Sequence, residues 1–452
     1  MQLKVSVEYG EVMTIPSTDS PYPTKKPSWA LLFLIMIVGI TFGHMTEQWI
    51  GERTSPTCKI DDLLQQSTTG LNAYLHSTEW LADLFMIVYS ILGDAIVLVL
   101  ILCAIVQSSI RPVLPLLIFM VLRQTMQLLI SFPIDPGLIW HYPGFPSLFS
   151  SYNVSGDFYF SAYAGIYILG AMEFAEIFHR KWLTGLSFFF TFLIAFIDIV
   201  LRSHYTTDIY TSIITAVFAY LFTQGLIPPV DRFLRKLDRL SHFLLIFFIC
   251  IGIASIFTTQ YFISQKAIPT CGISDLVQDV FLPFNEYLRN HVRIGDAILF
   301  SMNFLLDCMF LFMFIDTIIT RNIRPFLTYV LFFTLRQTMQ YLVGLPIPPH
   351  IIWHDPGIPS LLQNYQITND LYFSGHAGIS LIAAFEMSSF GKRWLTTLGF
   401  TIFALECILV IALQIHYTMD VFTAIITVFC ITDLSCHLAH PINRWLAKIM
   451  PS

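Results

Sequence analysis

Two histidines and one aspartate, set at the ends of apolar runs, are the residues of this chain best suited to chemistry. Ser374-Gly-His376 is followed by His416-Tyr-Thr-Met-Asp420. His416 and Asp420 are one helical turn apart, so on a helix they share a face. The carboxylate can then hold one imidazole nitrogen and leave the other basic and nucleophilic. His376, behind a small Ser-Gly pair, supplies a second group for proton transfer. Together the three suit displacement at phosphorus. Arg336 lies inside another apolar run, where a guanidinium must be paired. It either clamps a phosphate bidentately or neutralises a carboxylate such as Asp370. The candidate catalytic residues are therefore His376, His416 and Asp420. The candidate substrate-binding residues are Arg336, Ser374, Gly375 and Asp370. The competing reading is structural: three polar residues satisfying one another between helices.

The elements that must position these residues are membrane helices. The chain has 452 residues, of which 55% are hydrophobic and 12% charged, and its mean hydropathy is +0.68. A soluble domain carries roughly 25% charged residues. The fold class expected is all-α integral membrane. Apolar runs fall at about 29–46, 83–107, 112–131, 159–178, 182–201 and 206–227. A second set falls at about 243–263, 296–319, 325–345, 372–390, 395–413 and 417–435. Each approaches the roughly 20 residues that cross a hydrocarbon core, which predicts twelve transmembrane helices. The first run, behind a long and partly acidic leader, reads as a span and not as a cleaved signal peptide.

Basic residues set the orientation. In a twelve-helix arrangement, 16 of the 24 lysines and arginines fall on one side, with both termini. The positive-inside rule makes that side cytoplasmic. His376 and His416 then lie on the extracytoplasmic or lumenal side, where the loops are mainly acidic. The net charge of −6 comes without an extended basic cluster, which argues against a nucleic-acid partner.

The sequence also repeats. Arg123-Gln-Thr-Met-Gln127 recurs as Arg336-Gln-Thr-Met-Gln340, Trp140-His141 as Trp353-His354, and Cys58 as Cys271, all offset by 213 residues. His204-Tyr-Thr-Thr-Asp208 recurs as His416-Tyr-Thr-Met-Asp420 at an offset of 212. So many matches at one spacing indicate a duplication, with two parallel six-helix repeats. The expected division is a cytoplasmic N-terminal segment at 1–28 and a first repeat at 29–228. A cytoplasmic linker at 229–241 leads to a second repeat at 242–437 and a tail at 438–452. Ser374-Gly-His376 aligns with Ser161-Ala-Tyr163, so the first repeat lacks one histidine. A tyrosine with a pKa near 10 is a poor proton shuttle at neutral pH, and the second repeat is the expected working half. For His204 and Asp208 the expected reading is a relic pair that still packs.

Ser-Gly-His-Ala-Gly followed by His-Tyr-Thr-Met-Asp-Val resembles the paired motifs of sphingomyelin synthases, lipid phosphotransferases of the type 2 phosphatidic acid phosphatase superfamily. Leu335-Arg-Gln-Thr-Met339 running to Leu345-Pro-Ile-Pro348 resembles the synthases' preceding motif, and Asn369-Asp370-Leu-Tyr-Phe373 resembles their lead-in. Val410 and Thr317 stand where phosphatases of that superfamily carry an arginine and a lysine. The resemblance implies transfer of phosphocholine, or a similar headgroup, from a glycerophospholipid donor to a lipid-alcohol acceptor such as ceramide. It further implies a phosphohistidine on His416, an orienting Asp420, proton shuttling by His376, and no cofactor or metal. A lipid phosphate phosphatase with water as acceptor is the near alternative. Two parallel six-helix units also suit a transporter or scramblase, whose site would lie at mid-membrane between the repeats. Trp353 is expected as an interfacial anchor, Asn153-Val-Ser as a glycosylation sequon, and Cys58 and Cys271 as a possible bridge between the halves.

Overall fold

The computed structural model describes residues 26–51, 58–147, 152, 159–236, 239–357, 360–362 and 372–449. The chain is mostly helical. In the first half run α1 (Trp29–Gly51), α2 (Leu63–Ser67), α3 (Thr69–Ser77), α4 (Glu79–Gln107) and α5 (Leu114–Leu129). Then come α6 (Ala162–Phe178), α7 (Lys181–Leu201) and α8 (Thr206–Gln224). The amphipathic α9 (Ile227–Lys236) leads into α10 (Arg239–Ser264), α11 (Leu276–Asn290), α12 (Val292–Thr320) and α13 (Arg324–Leu342). The chain continues as α14 (Gly375–Ser389), α15 (Arg393–Ala412) and α16 (Thr418–Ile449). Four two-residue strands complete it: β1 (Asp61–Asp62), β2 (Ile130–Ser131), β3 (Ser274–Asp275) and β4 (Val343–Gly344). Local sequence sets several boundaries. Pro115 and Pro325 sit in the first turns of α5 and α13, where a missing N–H costs nothing. Both α4 and α12 stop at residues in left-handed conformation, Ser108 and Arg321.

All twelve apolar runs are helical, but fewer meet the demands of a span. Among the described residues, six helices are long and apolar enough to cross a membrane: α1, α4, α7, α12, α15 and α16. A seventh arises if Thr206–Gln224 and Ile227–Phe233, bent by 53°, form one span. Length and apolarity among the described residues thus support six or seven of the twelve expected spans. At 15 residues, α14 rises about 22 Å, short of a core about 30 Å thick. Polar side chains such as Arg336 and Gln340 lower the apolarity of α13.

The two halves interlock. At the centre α8 packs on α16, with α5 and α6 against α8 and with α13 and α14 against α16. By contrast, α1 lies on α12 and α13, and α10 lies on α4 and α5, so each half's first long helix rests on the other half. The recurring Arg-Gln-Thr-Met-Gln segment makes these contacts. Gln337 Nε2 donates to the Gly43 carbonyl (2.9 Å), and its Oε1 accepts from Thr46 Oγ1 (2.8 Å). Gln124 Nε2 likewise donates to the Ile256 carbonyl (2.9 Å), and its Oε1 accepts from Thr259 Oγ1 (2.7 Å). The strands cross in the same sense: β1 pairs antiparallel with β4, and β2 with β3. A disulfide between Cys58 and Cys271, with Cα atoms 4.6 Å apart, joins the segments that precede β1 and β3.

Candidate active site

The histidines of the second half are brought together by two helix N-termini. Ser374 caps α14, its hydroxyl accepting the Ala377 N–H (3.3 Å), which sets His376 in the first turn. His416 lies in the turn before α16, and Asp420 in that helix's first turn. The Ser374 N–H donates to the Asp420 carbonyl at 3.1 Å, so the two helix starts are bonded backbone to backbone. The imidazole centroids of His376 and His416 are 6.5 Å apart. His416 Nδ1 lies 3.8 Å from Asp420 Oδ2. That is ion-pair range and beyond a hydrogen bond. Asp420 Oδ2 accepts the Tyr417 N–H at 2.9 Å, whereas Oδ1 is buried without a hydrogen-bond partner among the described residues. Desolvated in this way, the carboxylate is strongly directed towards a nearby cation.

Arg336 is buried beside the same helix start. Its Nε donates to the Phe373 carbonyl at 2.8 Å. A Cβ added at Gly375 would meet its guanidinium carbon at 3.4 Å, so glycine here leaves Arg336 close to the backbone of the first turn. The sequence left Arg336 between a phosphate and a carboxylate such as Asp370; a backbone carbonyl is one partner in fact. Asp370 lies outside the described residues, as does Asn153. One turn further along α14, a Cβ on Gly378 would fall 1.9 Å from the Phe332 ring, so only glycine allows α13 and α14 this approach.

Three supports were not visible in the sequence. Asn303, buried on α12, places Oδ1 3.0 Å from His376 Nε2. With that oxygen accepting, Nε2 keeps a proton, and Nδ1 is the nitrogen left to gain or give one. Trp353, expected as an interfacial anchor, packs edge-on against the His376 ring at 5.9 Å. Asp275 is the third. Its Oδ1 caps α11 by accepting the N–H groups of Val277 (3.0 Å) and Gln278 (3.3 Å), and also accepts Thr418 Oγ1 (2.9 Å). Its Oδ2 accepts the Thr418 N–H at 2.6 Å. Burial pushes the Asp275 carboxyl above its ordinary range, against these donors, which favour the charged form. Gln278 Nε2 donates to the His416 carbonyl (3.0 Å), and Asn285 Nδ2 to the Ala412 carbonyl (3.0 Å). One amphipathic helix, α11, thus holds the turn that carries His416. Single Asp, Gln or Asn residues at a helix cap or along a helix give no sequence signal of this kind.

The first half repeats the supports without the histidine pair. Asp62 accepts from Leu64, Gln65 and Thr206 as Asp275 does from Val277, Gln278 and Thr418. Arg123 Nε donates to the Phe160 carbonyl at 2.8 Å. Asp208 Oδ2 accepts the Tyr205 N–H at 2.9 Å. At the position matching His376, Tyr163 directs its hydroxyl to Asp94 Oδ1 at 3.2 Å.

The protein is thus a mostly helical chain with several membrane-length apolar helices and a buried His–His–Asp cluster. A family model described as AtPDCT1/2, the phosphatidylcholine:diacylglycerol cholinephosphotransferases, matches residues 279–437, about a third of the chain. No curated protein and no solved structure matches. The family match overturns the resemblance drawn from motifs, since neither sphingomyelin synthases nor the phosphatidic acid phosphatase superfamily gives a match. The motifs behind that resemblance are short and set by local geometry, too few residues to separate one family from another. The matched region runs from α11 into α16 and contains His376, His416, Asp420 and Arg336.

Asp275→Asn tests the supporting shell. An amide would turn donors towards donors at α11 or at Thr418, at a cost of about 1–3 kcal/mol. A clear fall in the detergent-solubilised protein's melting temperature is expected, and an unchanged one would show that Asp275 does not hold the two helix starts together.

Proposed function

We propose that this protein transfers phosphocholine between lipids, from phosphatidylcholine to diacylglycerol, at a single site in its second half. One observation carries the reading. His376 and His416 face one another 6.5 Å apart, with Asp420 behind His416 and Arg336 at the α14 start, inside the region matched by a cholinephosphotransferase family. Ceramide, expected from the motif resemblance, is replaced as acceptor by diacylglycerol.

Two displacements account for the residues. His416 Nδ1 is turned towards Asp420, which leaves Nε2 to attack phosphorus. As the N–P bond forms, the bond from phosphorus to the donor's glycerol oxygen breaks. His376, protonated and held by Asn303, gives its Nδ1 proton to that oxygen, releasing diacylglycerol. Asp420 stabilises the cationic phosphohistidine. An incoming diacylglycerol hydroxyl then returns a proton to His376 and attacks phosphorus, and the N–P bond breaks. Arg336 offsets charge on the phosphoryl oxygens, and Ser374 and Gly375 shape the helix start beside it. Asp370 is kept in the substrate-binding set from sequence alone. The diacylglycerol released and the diacylglycerol that accepts differ only in their acyl chains, so the exchange requires no outside energy source, and the two displacements invoke no cofactor or metal.

The same proposal includes the duplication, with repeats at 29–228 and 242–437 joined by 229–241, and twelve membrane-embedded helices. It also places the termini in the cytoplasm and the site on the extracytoplasmic or lumenal side. The biased positions of the basic residues support this sidedness.

His376→Ala is expected to lower headgroup transfer about 10²–10⁴-fold, with His416→Ala and Asp420→Asn at least as severe. Mixed micelles containing choline-labelled phosphatidylcholine and unlabelled diacylglycerol of distinct chain length are the assay. Normal transfer in any folded variant would refute the assigned set. Label appearing in free phosphocholine would make water the acceptor, and label in a ceramide product would restore the rejected acceptor class.

A cysteine replacing Asp355 should react with an impermeant thiol reagent from the outer or lumenal side, whereas one replacing Gly391 should not. The opposite pattern would invert the site's sidedness.

A further inference from the structure

The contacts across the centre of the molecule give the first half a task in the second half's chemistry. Tyr372 lies four residues before His376, in the lead-in to α14. Its hydroxyl donates to the Thr207 carbonyl at 3.1 Å, and Thr211 Oγ1 lies 2.6 Å from it. Both threonines belong to α8 of the first half. Since the Tyr372 proton is committed to Thr207, Thr211 donates to Tyr372. Thr423 Oγ1, on α16 and one turn past Asp420, lies 3.3 Å from Thr211 Oγ1 and completes the chain as donor to it. The order is Thr423, Thr211, Tyr372 and the Thr207 carbonyl, every hydroxyl giving one proton. All these side chains are fully buried, in surroundings where such bonds are strengthened and expensive to break.

The neighbouring residue repeats the link. Tyr210 stacks on Phe373 with ring centroids 5.8 Å apart and planes 6° from parallel, and its hydroxyl lies 3.2 Å from Thr427 Oγ1 on α16. Phe373 is the residue whose carbonyl receives Arg336. Two adjacent residues of α8 therefore grip both segments that carry the His376 and His416 sets. Tyr159, which matches Tyr372 in the first half, also brings its buried hydroxyl to Thr211 and Thr423, without the geometry of a formed hydrogen bond to either.

We propose that Thr211 and Tyr210 are positioning residues for the transfer reaction, acting through Tyr372 and Phe373 to set His376 against His416. This rests on the assignment of His376 and His416 as the reacting pair. It explains why a half that lacks one histidine keeps the helix following its His-Tyr-Thr-Thr-Asp motif. The half is used as a template for the other site.

The test compares Thr211→Val, Thr211→Ser and Tyr372→Phe in the full chain, with the purified variants first shown to melt as the parent does. Thr211→Val is expected to lower kcat about tenfold or more, as small misplacements of reacting groups do, with KM for phosphatidylcholine within about twofold. Thr211→Ser, which keeps the hydroxyl, should restore kcat to within about twofold of the parent. Tyr372→Phe should match Thr211→Val, and the double variant should be no worse than either alone, because both break one chain. His204→Ala, in the same half but outside this chain, should leave turnover unchanged. Unaltered kcat in folded Thr211→Val and Tyr372→Phe would overturn the proposal, as would losses that multiply in the double variant. His376→Ala in the same assay keeps the two claims apart: if it retains turnover, the site assignment fails, whatever Thr211→Val does.

Discussion

The hydrogen bond from the Ser374 N–H to the Asp420 carbonyl fixes the relation on which the site depends. It ties the first turn of α14 to the first turn of α16, and the spacing of the two imidazoles follows from it. A main-chain bond in an apolar interior is hard to lose, because neither group has water to turn to. The surrounding shell keeps it in place. Arg336 holds the Phe373 carbonyl on one side, and Asp275 and Gln278 hold Thr418 and His416 on the other. Each imidazole is thus set by its backbone, and each backbone segment is set by a buried polar residue from a different helix.

This shell also explains the pattern of repetition. The residues that recur are largely those that hold backbone: Arg123 and Arg336, Gln124 and Gln337, Asp62 and Asp275. Those that differ include the matched pair at the α6 and α14 starts, where Tyr163 bonds Asp94 and His376 meets Asn303. Scaffold demands act equally on both halves, whereas the proposed reaction would need only one proton-shuttling histidine. The exchange of α1 and α10 between halves, the crossed strands and the disulfide make each half incomplete alone.

Much of this was legible in the sequence, for physical reasons. The apolar runs had to be helices, since in a hydrocarbon environment the backbone must satisfy itself, and all twelve are helical. Spacing brought His416 and Asp420 together, although His416 stands in the turn before α16 and not on a shared helix face. What sequence could not give was depth and partnership. Run length suggested twelve spans, but α14 begins at a cap whose N–H is given to α16, and it is too short to cross by itself. Asn303, Asp275 and Thr211 look like any polar residue in an apolar chain until folding brings them against His376, Thr418 and Tyr372. The family was misjudged for a related reason. The motifs report local geometry around a helix start, and the acceptor lipid is selected by surfaces that three short motifs do not describe.

Trapping the covalent intermediate tests the central claim most directly. The purified protein would be given choline-labelled phosphatidylcholine without acceptor, quenched in base, and digested for peptide mapping. The account predicts label on the peptide containing His416, held by an acid-labile bond and discharged when diacylglycerol is added before the quench. Label on the His376 or His204 peptide would contradict it, as would full transfer activity with no labelled peptide at any time during turnover.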